Sequence, residues 1–271
     1  MSRSQTSRRA TPTRPLWPWI AGAVALGAAA LLWPRPETEA ERTPVMQPPV
    51  VARYPHDPGA FTQGFVLEGE TVLESTGLYG ASSLRRVDLE SGRVLDSLRL
   101  GDTYFGEGLA ALDGRLYLLT WREGTVFVFD QETLAPVDTL GLNGEGWGLA
   151  TAGEELIWSD GSDRLRWLDP HAWSVTREVE VRDRGRAVSN LNELEVVDGL
   201  VYANVWGTGR IAVIDPADGR VVRWLDFTSL DQQHRALGAD VMNGIAHDPA
   251  TNRLLLTGKL WPTVYAVELP E

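Results

Sequence analysis

The 271-residue chain has no cysteine and one lysine. Without cysteine there is no disulfide, thiolate metal site, cysteine nucleophile or iron–sulfur cluster. Histidine is scarce, and His56, His171, His234 and His247 fall at unrelated places in the pattern described below. They suggest neither a histidine metal site nor a Ser/His nucleophile. A basic excess is missing too: the formal net charge is −12 and the pI ≈ 4.9. Nucleic-acid binding, which needs basic patches, is a poor fit. Of 25 basic residues 24 are arginine, so Lys259 stands alone. A compact ammonium where arginine is otherwise the rule suggests a special duty.

Only one apolar run is long. Arg3, Arg8, Arg9 and Arg14 precede LWPWIAGAVALGAAALLW at residues 16–33. This has the form of a positive n-region and an h-region, with just enough length to span a bilayer. The charge bias places the rest of the chain outside the cytoplasm, on the periplasmic side in a bacterium. A retained inner-membrane anchor and a cleaved signal are both open. Ala28-Ala29-Ala30 offers a cleavage site, while Leu31-Leu32-Trp33 continues the apolar run and favours the anchor. Residues 34–49, PRPETEAERTPVMQPP, read as an extended linker. The expected organisation is therefore 1–33 signal or anchor, 34–49 linker and 50–271 globular domain.

No helical period is evident in that domain. Short apolar strands are separated by DG, SG, EG and GTG turns. Five segments begin alike, at Gln63, Glu107, Trp147, Asn192 and Asn243, with QGFVLEGETVLEST and EGLAALDGRLYLLTW as examples. Each continues through a third strand that ends near an acid: Asp88, Asp130, Asp169, Asp215 or Glu268. Four strands in about 40–45 residues make a propeller blade. The last unit lacks its fourth strand, and VVARY at 50–54 is the spare. The expectation is an all-β, five-bladed propeller closed by that N-terminal strand, with a six-bladed ring as the alternative.

The repeat locates a site. Equivalent residues in a propeller lie at one height around the axis. The residues opening the inner strands are Gln63, Glu107, Trp147, Asn192 and Asn243. A second ring, nine residues before each terminal acid, reads Tyr79, Trp121, Asp160, Trp206 and Lys259. Scaffold positions repeat in type; these two rings do not. Each residue also has a plain reading. Tryptophan packs between blades as readily as it binds ligands. Asn243 and Asp160 suit turn backbone, as do the repeating Asp88, Asp130, Asp169 and Asp215. Glu107 among indoles is expected to have a raised pKa, useful for proton transfer; alternatively it simply pairs with Lys259.

The strings FTQG (61–64), YFGEG (104–108), LLTW (118–121), EGWGL (145–149), LNELE (191–195), NVW (204–206), NGIA (243–246) and LTGK (256–259) closely resemble the plant-type, papaya-like glutaminyl-peptide cyclotransferases and their bacterial relatives. The resemblance spans about 55–271. It implies a propeller that cyclises N-terminal glutamine of peptides to pyroglutamate, releasing ammonia, with no metal or other cofactor. Carried over by motif, Glu107 is the proton-transfer carboxylate. Phe61, Gln63, Phe105, Trp121, Trp147, Asn192, Trp206 and Lys259 line the pocket. Lys259 is favoured as oxyanion donor, with Asn192 and Gln63 orienting the substrate. The partners expected are peptides or proteins with N-terminal Gln, acted on by a monomer. Two other functions fit the rings: a calcium-dependent lactonase-like propeller using Glu107, Asn192, Asn243 and Asp160, and a non-catalytic peptide- or sugar-binding propeller.

Overall fold

The computed structural model describes residues 42–269. The segment read as anchor or signal lies outside them. Among the described residues no helix is long and apolar enough to cross a membrane.

Five antiparallel sheets, each of four consecutive strands or their equivalent, form the blades. Blade 2 shows the local logic. Its strands are Gly106–Leu112, Arg115–Thr120, Thr125–Asp130 and Pro136–Gly141. The first two are joined at Asp113-Gly114, both with positive φ (51° and 72°), as a type I′ hairpin turn requires. In Arg115–Thr120, Leu116 and Leu118 face blade 1, while Tyr117 and Leu119 face blade 3. Period-two alternation thus feeds two different seams, and the strand reads as a continuous apolar run.

Every seam between neighbouring blades holds one buried cluster. Leu73, Leu84, Leu109 and Phe129 join blades 1 and 2. Leu119, Val126, Leu149 and Trp158 join blades 2 and 3. Trp167, Leu191, Val201 and Ile214 join blades 3 and 4. Ile211, Val213, Ile245 and Leu256 join blades 4 and 5. Phe65, Val72, Leu255 and Val264 close the ring between blades 5 and 1. Each fully buried side chain of this size contributes roughly 1.5–3 kcal/mol. The outermost strands, such as Val94–Arg99, are largely exposed.

Val50–Pro55 pairs antiparallel with Thr263–Glu268 and completes blade 5. The closure expected from the sequence is therefore present. Three features go beyond that reading. Val45–Met46, inside the stretch read as linker, pairs parallel with the outer strand Val221–Asp226 of blade 4. Arg182–Asp183 and Arg186–Ala187 form a small hairpin between blades 3 and 4. A helix, Thr228–Ala236, interrupts the otherwise all-β chain between blades 4 and 5. Its buried residues are Asp231 and His234. Asp231 Oδ1 accepts the Met242 N–H at 2.7 Å, and His234 stacks on Trp261 at 4.0 Å. A helix that buries polar groups has no apolar stripe to betray it.

Candidate active site

The five inner strands surround the axis, each packed against the next blade's. Four of them break register at the opening residue. The breaks lie between Thr62 and Gly64, Gly106 and Leu109, Leu191 and Leu194, and Met242 and Ile245. A bulge re-aims the side chain it carries. The bulged segments hold Gln63, Glu107, Asn192 and Asn243. In blade 3 regular pairing starts at Gly148, directly after Trp147.

Neighbouring blades hold this ring through side chains. Ser75 Oγ donates to the Glu107 carbonyl at 2.5 Å, and Ser159 Oγ to the Asn192 carbonyl at 2.8 Å. Asn204 Oδ1 accepts the Gly244 N–H at 3.0 Å. The Asn192 carbonyl lies so close to Gly148 that a Cβ there would sit 1.9 Å from it.

Glu107 is buried, and its Oε1 accepts Gln63 Nε2 at 3.1 Å. Burial pushes its carboxyl well above the usual carboxylate range; Lys259 opposes this, while Glu123 and Glu145 add to it. Lys259 is buried too, and loss of hydration pulls its ammonium below the ordinary value, against the attraction of Glu107 and Asp240. Among the ion pairs of the described residues, none joins Glu107 to Lys259. Instead Lys259 Nζ lies 4.9 Å from the Phe61 ring centroid.

The aromatic residues form two groups that meet at Glu145, which accepts from both Trp121 and Trp147. Phe105 meets Phe61 at 6.1 Å, Tyr79 at 5.4 Å and Trp121 at 5.6 Å between ring centroids. Trp147 meets Trp206 edge-on at 6.4 Å. Gly161, at φ +79°, leaves the space that Trp147 fills, since a Cβ there would lie 2.6 Å from the indole. Trp206 and Tyr79 are exposed, at 46% and 52%, and form the rim.

Direct contacts thus link Phe61, Phe105, Trp121 and Lys259 in one group, Gln63 with Glu107, and Trp147 with Trp206, and Lys259 acts on Glu107 electrostatically. Asn192 brings a buried Oδ1 that has no protein partner. Asp160 is not a free ligand: it binds Ser162 N–H at 3.0 Å and Arg166 at 2.6 Å, the turn role its plain reading gave. Occupied in this way, it weakens the cation-site reading. Asn243 does more than cap a turn. Its Nδ2 donates to the Thr62 carbonyl at 3.1 Å and approaches Gln63 Oε1 at 3.4 Å. That orients the Gln63 amide with its nitrogen toward Glu107. The four repeating aspartates accept backbone N–H groups in turns, as Asp88 does from Ser91 and Asp130 from Thr133, both at 2.9 Å. Sequence reasoning missed Glu123 and Glu145, because acids in surface turns carry no signal of their own. Glu123 accepts Tyr79 Oη at 2.8 Å.

The sequence model described as glutamine cyclotransferase matches residues 23–269. A glutaminyl-peptide cyclotransferase of Arabidopsis thaliana is 45% identical over 229 residues, covering 82% of this chain and 71% of the relative. The crystal structure of Myxococcus xanthus glutaminyl cyclase superposes with a TM-score of 0.77 at 37% identity, covering 84% of this chain and 98% of that one. This chain belongs to the glutamine cyclotransferase family.

Proposed function

We propose that the chain is a glutaminyl-peptide cyclotransferase that closes the N-terminal glutamine of peptides to pyroglutamate. The observation that carries this reading is the setting of Glu107. It is a buried carboxyl, aimed by Gln63 and walled by aromatic rings, with a buried lysine as its cationic neighbour.

The substrate's neutral α-amine attacks its own side-chain amide carbon. One N–H proton passes to the Glu107 carboxylate as the ring closes. Glu107 then returns it to the departing nitrogen, which leaves as ammonia, and the ring nitrogen keeps one hydrogen. A group that accepts and returns a proton near neutrality needs a raised carboxyl pKa, which burial supplies here. Because the attack is intramolecular, the enzyme's task is to hold the folded-back conformer. Phe105, Trp121 and Trp147 wall that space. Lys259 supplies the ammonium that stabilises the developing oxyanion, a role supported by its burial and its attraction to Glu107. Asn192 Oδ1, buried and without a partner, accepts from the amine or amide.

In the same proposal the domain works outside the cytoplasm, because residues 16–33 have the composition of an export signal or anchor. Fractionation of cells expressing the full chain tests this, and a cytoplasmic protein would refute it.

The reaction is tested with peptides of identical sequence except for Gln at the N-terminus or inside. Ammonia release and loss of the free amine are expected from the first only. Glu107→Gln is expected to bind the peptide and turn over very slowly. Binding by the wild type without ammonia at any pH from 6 to 9 would leave only a peptide-binding propeller.

A further inference from the structure

Glu145 precedes Trp147 by two residues in the EGWGL string, and the mechanism above gives it no part. It is about two-fifths exposed, so burial does not demand its presence. Yet its carboxylate is crowded with donors from the site. Trp121 Nε1 donates to Oε2 at 2.9 Å, and Trp147 Nε1 donates to the same oxygen at 3.0 Å. Arg122 Nε donates to Oε1 at 2.9 Å. The Arg122 guanidinium also lies over the Trp121 ring, 3.7 Å from its centroid. Two of the wall's indoles, from different blades, therefore converge on one oxygen atom.

An indole N–H is a donor only, and a carboxylate oxygen has two lone pairs to offer. One ionised acceptor shared by two indoles fixes their relative tilt and separation. The second oxygen holds the arginine that covers one face of Trp121. We propose that Glu145 is a positioning residue for this reaction, whose carboxylate clamps Trp121 to Trp147 and so sets the width of the wall against which the glutamine side chain folds back. The inference rests on the cyclotransferase reading for its kinetic consequence, though not for its structural one.

Two features separate this role from simple stabilisation. The clamp acts on rings that touch the substrate space, so its loss alters turnover more than melting. Glu145 also faces Glu107 electrostatically, together with Glu123 and Lys259. Removing its charge lets Glu107 ionise at lower pH.

The test compares wild type with Glu145→Ala, Glu145→Gln and Glu145→Asp. In protein labelled with ¹⁵N-tryptophan, the indole N–H signals of Trp121 and Trp147 are assigned with single Trp→Phe variants. Both signals should move in Glu145→Ala. Steady-state assays on an N-terminal Gln peptide should show kcat reduced tenfold or more in Glu145→Ala, with KM changed less. Glu145→Gln should be intermediate, since its amide offers an acceptor to the indoles or to Arg122 but not to both. Glu145→Asp keeps the charge but falls short of the indoles. It should therefore lose turnover while keeping the wild-type acid limb of the pH profile, which shifts downward in the Ala and Gln variants. The clamp is refuted if only one indole signal moves, or if Glu145→Ala keeps wild-type kcat and KM. A wild type that releases no ammonia sinks the cyclotransferase reading instead, and the two indole signals still decide whether the clamp exists.

Discussion

Replacing Glu74 by glutamine removes one charge from a buried clasp at the closing seam of the ring. Glu74 has no exposure. It accepts His56 Nε2 at 3.1 Å, Thr62 Oγ1 at 2.6 Å and Arg85 through Nε at 3.2 Å and through Nη2. The other ring nitrogen of His56 faces the Trp261 carbonyl at 2.6 Å. A carbonyl and an ionised carboxylate both only accept, so both nitrogens of His56 carry protons and the ring is a cation. Burial opposes ionisation of Glu74, but His56, Arg85 and Thr62 outweigh it and hold the pKa at about 2 against an ordinary 4.5. That gap is worth on the order of 3 kcal/mol. The stabilisation is complete above the ordinary value of 4.5 and is lost as the pH falls toward 2. His56 is shifted the other way; burial disfavours its charge, and Glu74 and the Trp261 carbonyl more than compensate. Its share is full below 6.5 and fades as the pH rises through the raised value. The two shifts describe one pair and do not add. Glu74→Gln should therefore cost roughly 3–5 kcal/mol at pH 6, because it leaves the buried His56 cation without a counter-ion and Arg85 with Asp57 alone. For a domain of this size the melting temperature should drop by about 6–20 °C. Urea titrations from pH 3 to pH 8 should show that the variant has lost much of the wild type's acid destabilisation. A variant within 1 kcal/mol of wild type at pH 6, with an unchanged acid limb, would refute the reasoning.

Lys259→Ala should lower kcat by about 10²–10³, the effect of losing one transition-state donor, while Lys259→Arg recovers part of it. The acid limb of the kcat/KM profile should also move up in Lys259→Ala, because Glu107 loses the cation that favours its ionised form. A chain beginning at His56 lacks the closing strand Val50–Pro55, and should melt lower or aggregate where a chain beginning at Thr43 is stable; equal melting would contradict ring closure as a stabilising device. Gly148→Ala places a methyl group 1.9 Å from the Asn192 carbonyl. It should cost roughly 1–3 kcal/mol by overpacking and reduce turnover beyond that loss, measured by urea titration beside the ammonia assay.

How much of this was legible in the sequence follows from what each element buries. The blade strands are legible because they fill two apolar seams, and the turns because Asp113 and Asp198 sit before glycine at positive φ. Val45–Met46 is illegible: two residues have no period, and only the folded chain shows them pairing with Trp224 and Leu225 and Met46 packing on the seam of blades 4 and 5. The helix is hidden by its polar buried face. Asn243 is of a type that suits turns, but its amide reaches the neighbouring blade. Glu145 carries no signal within EGWGL that sets it apart from any acid in a surface turn. Only the folded chain brings Arg122, Trp121 and Trp147 to its two oxygens.

The ring residues themselves are legible without strand register. Counting alternation along Thr62–Glu68 would have assigned Gln63 to a face of the sheet, and the break between Thr62 and Gly64 makes that count meaningless. Comparing repeats works because the same distortion recurs at the same place in four blades. Each bulge spends ladder hydrogen bonds to turn a side chain toward the axis. Glycine follows the ring residue in blades 1, 2, 3 and 5, and at Gly64 and Gly108 a Cβ would come within 2.6 Å of Leu109 and Leu149 on the next inner strand. Blade 4 departs from this: Glu193 stands where the others have glycine, and its Oε2 accepts the Ile245 N–H of blade 5 at 2.8 Å. The inner strands are thus the part of each blade where the fold gives up regular pairing. That irregularity puts a buried carboxyl and three amides around one mouth, with an indole from blade 3 and a lysine from a loop.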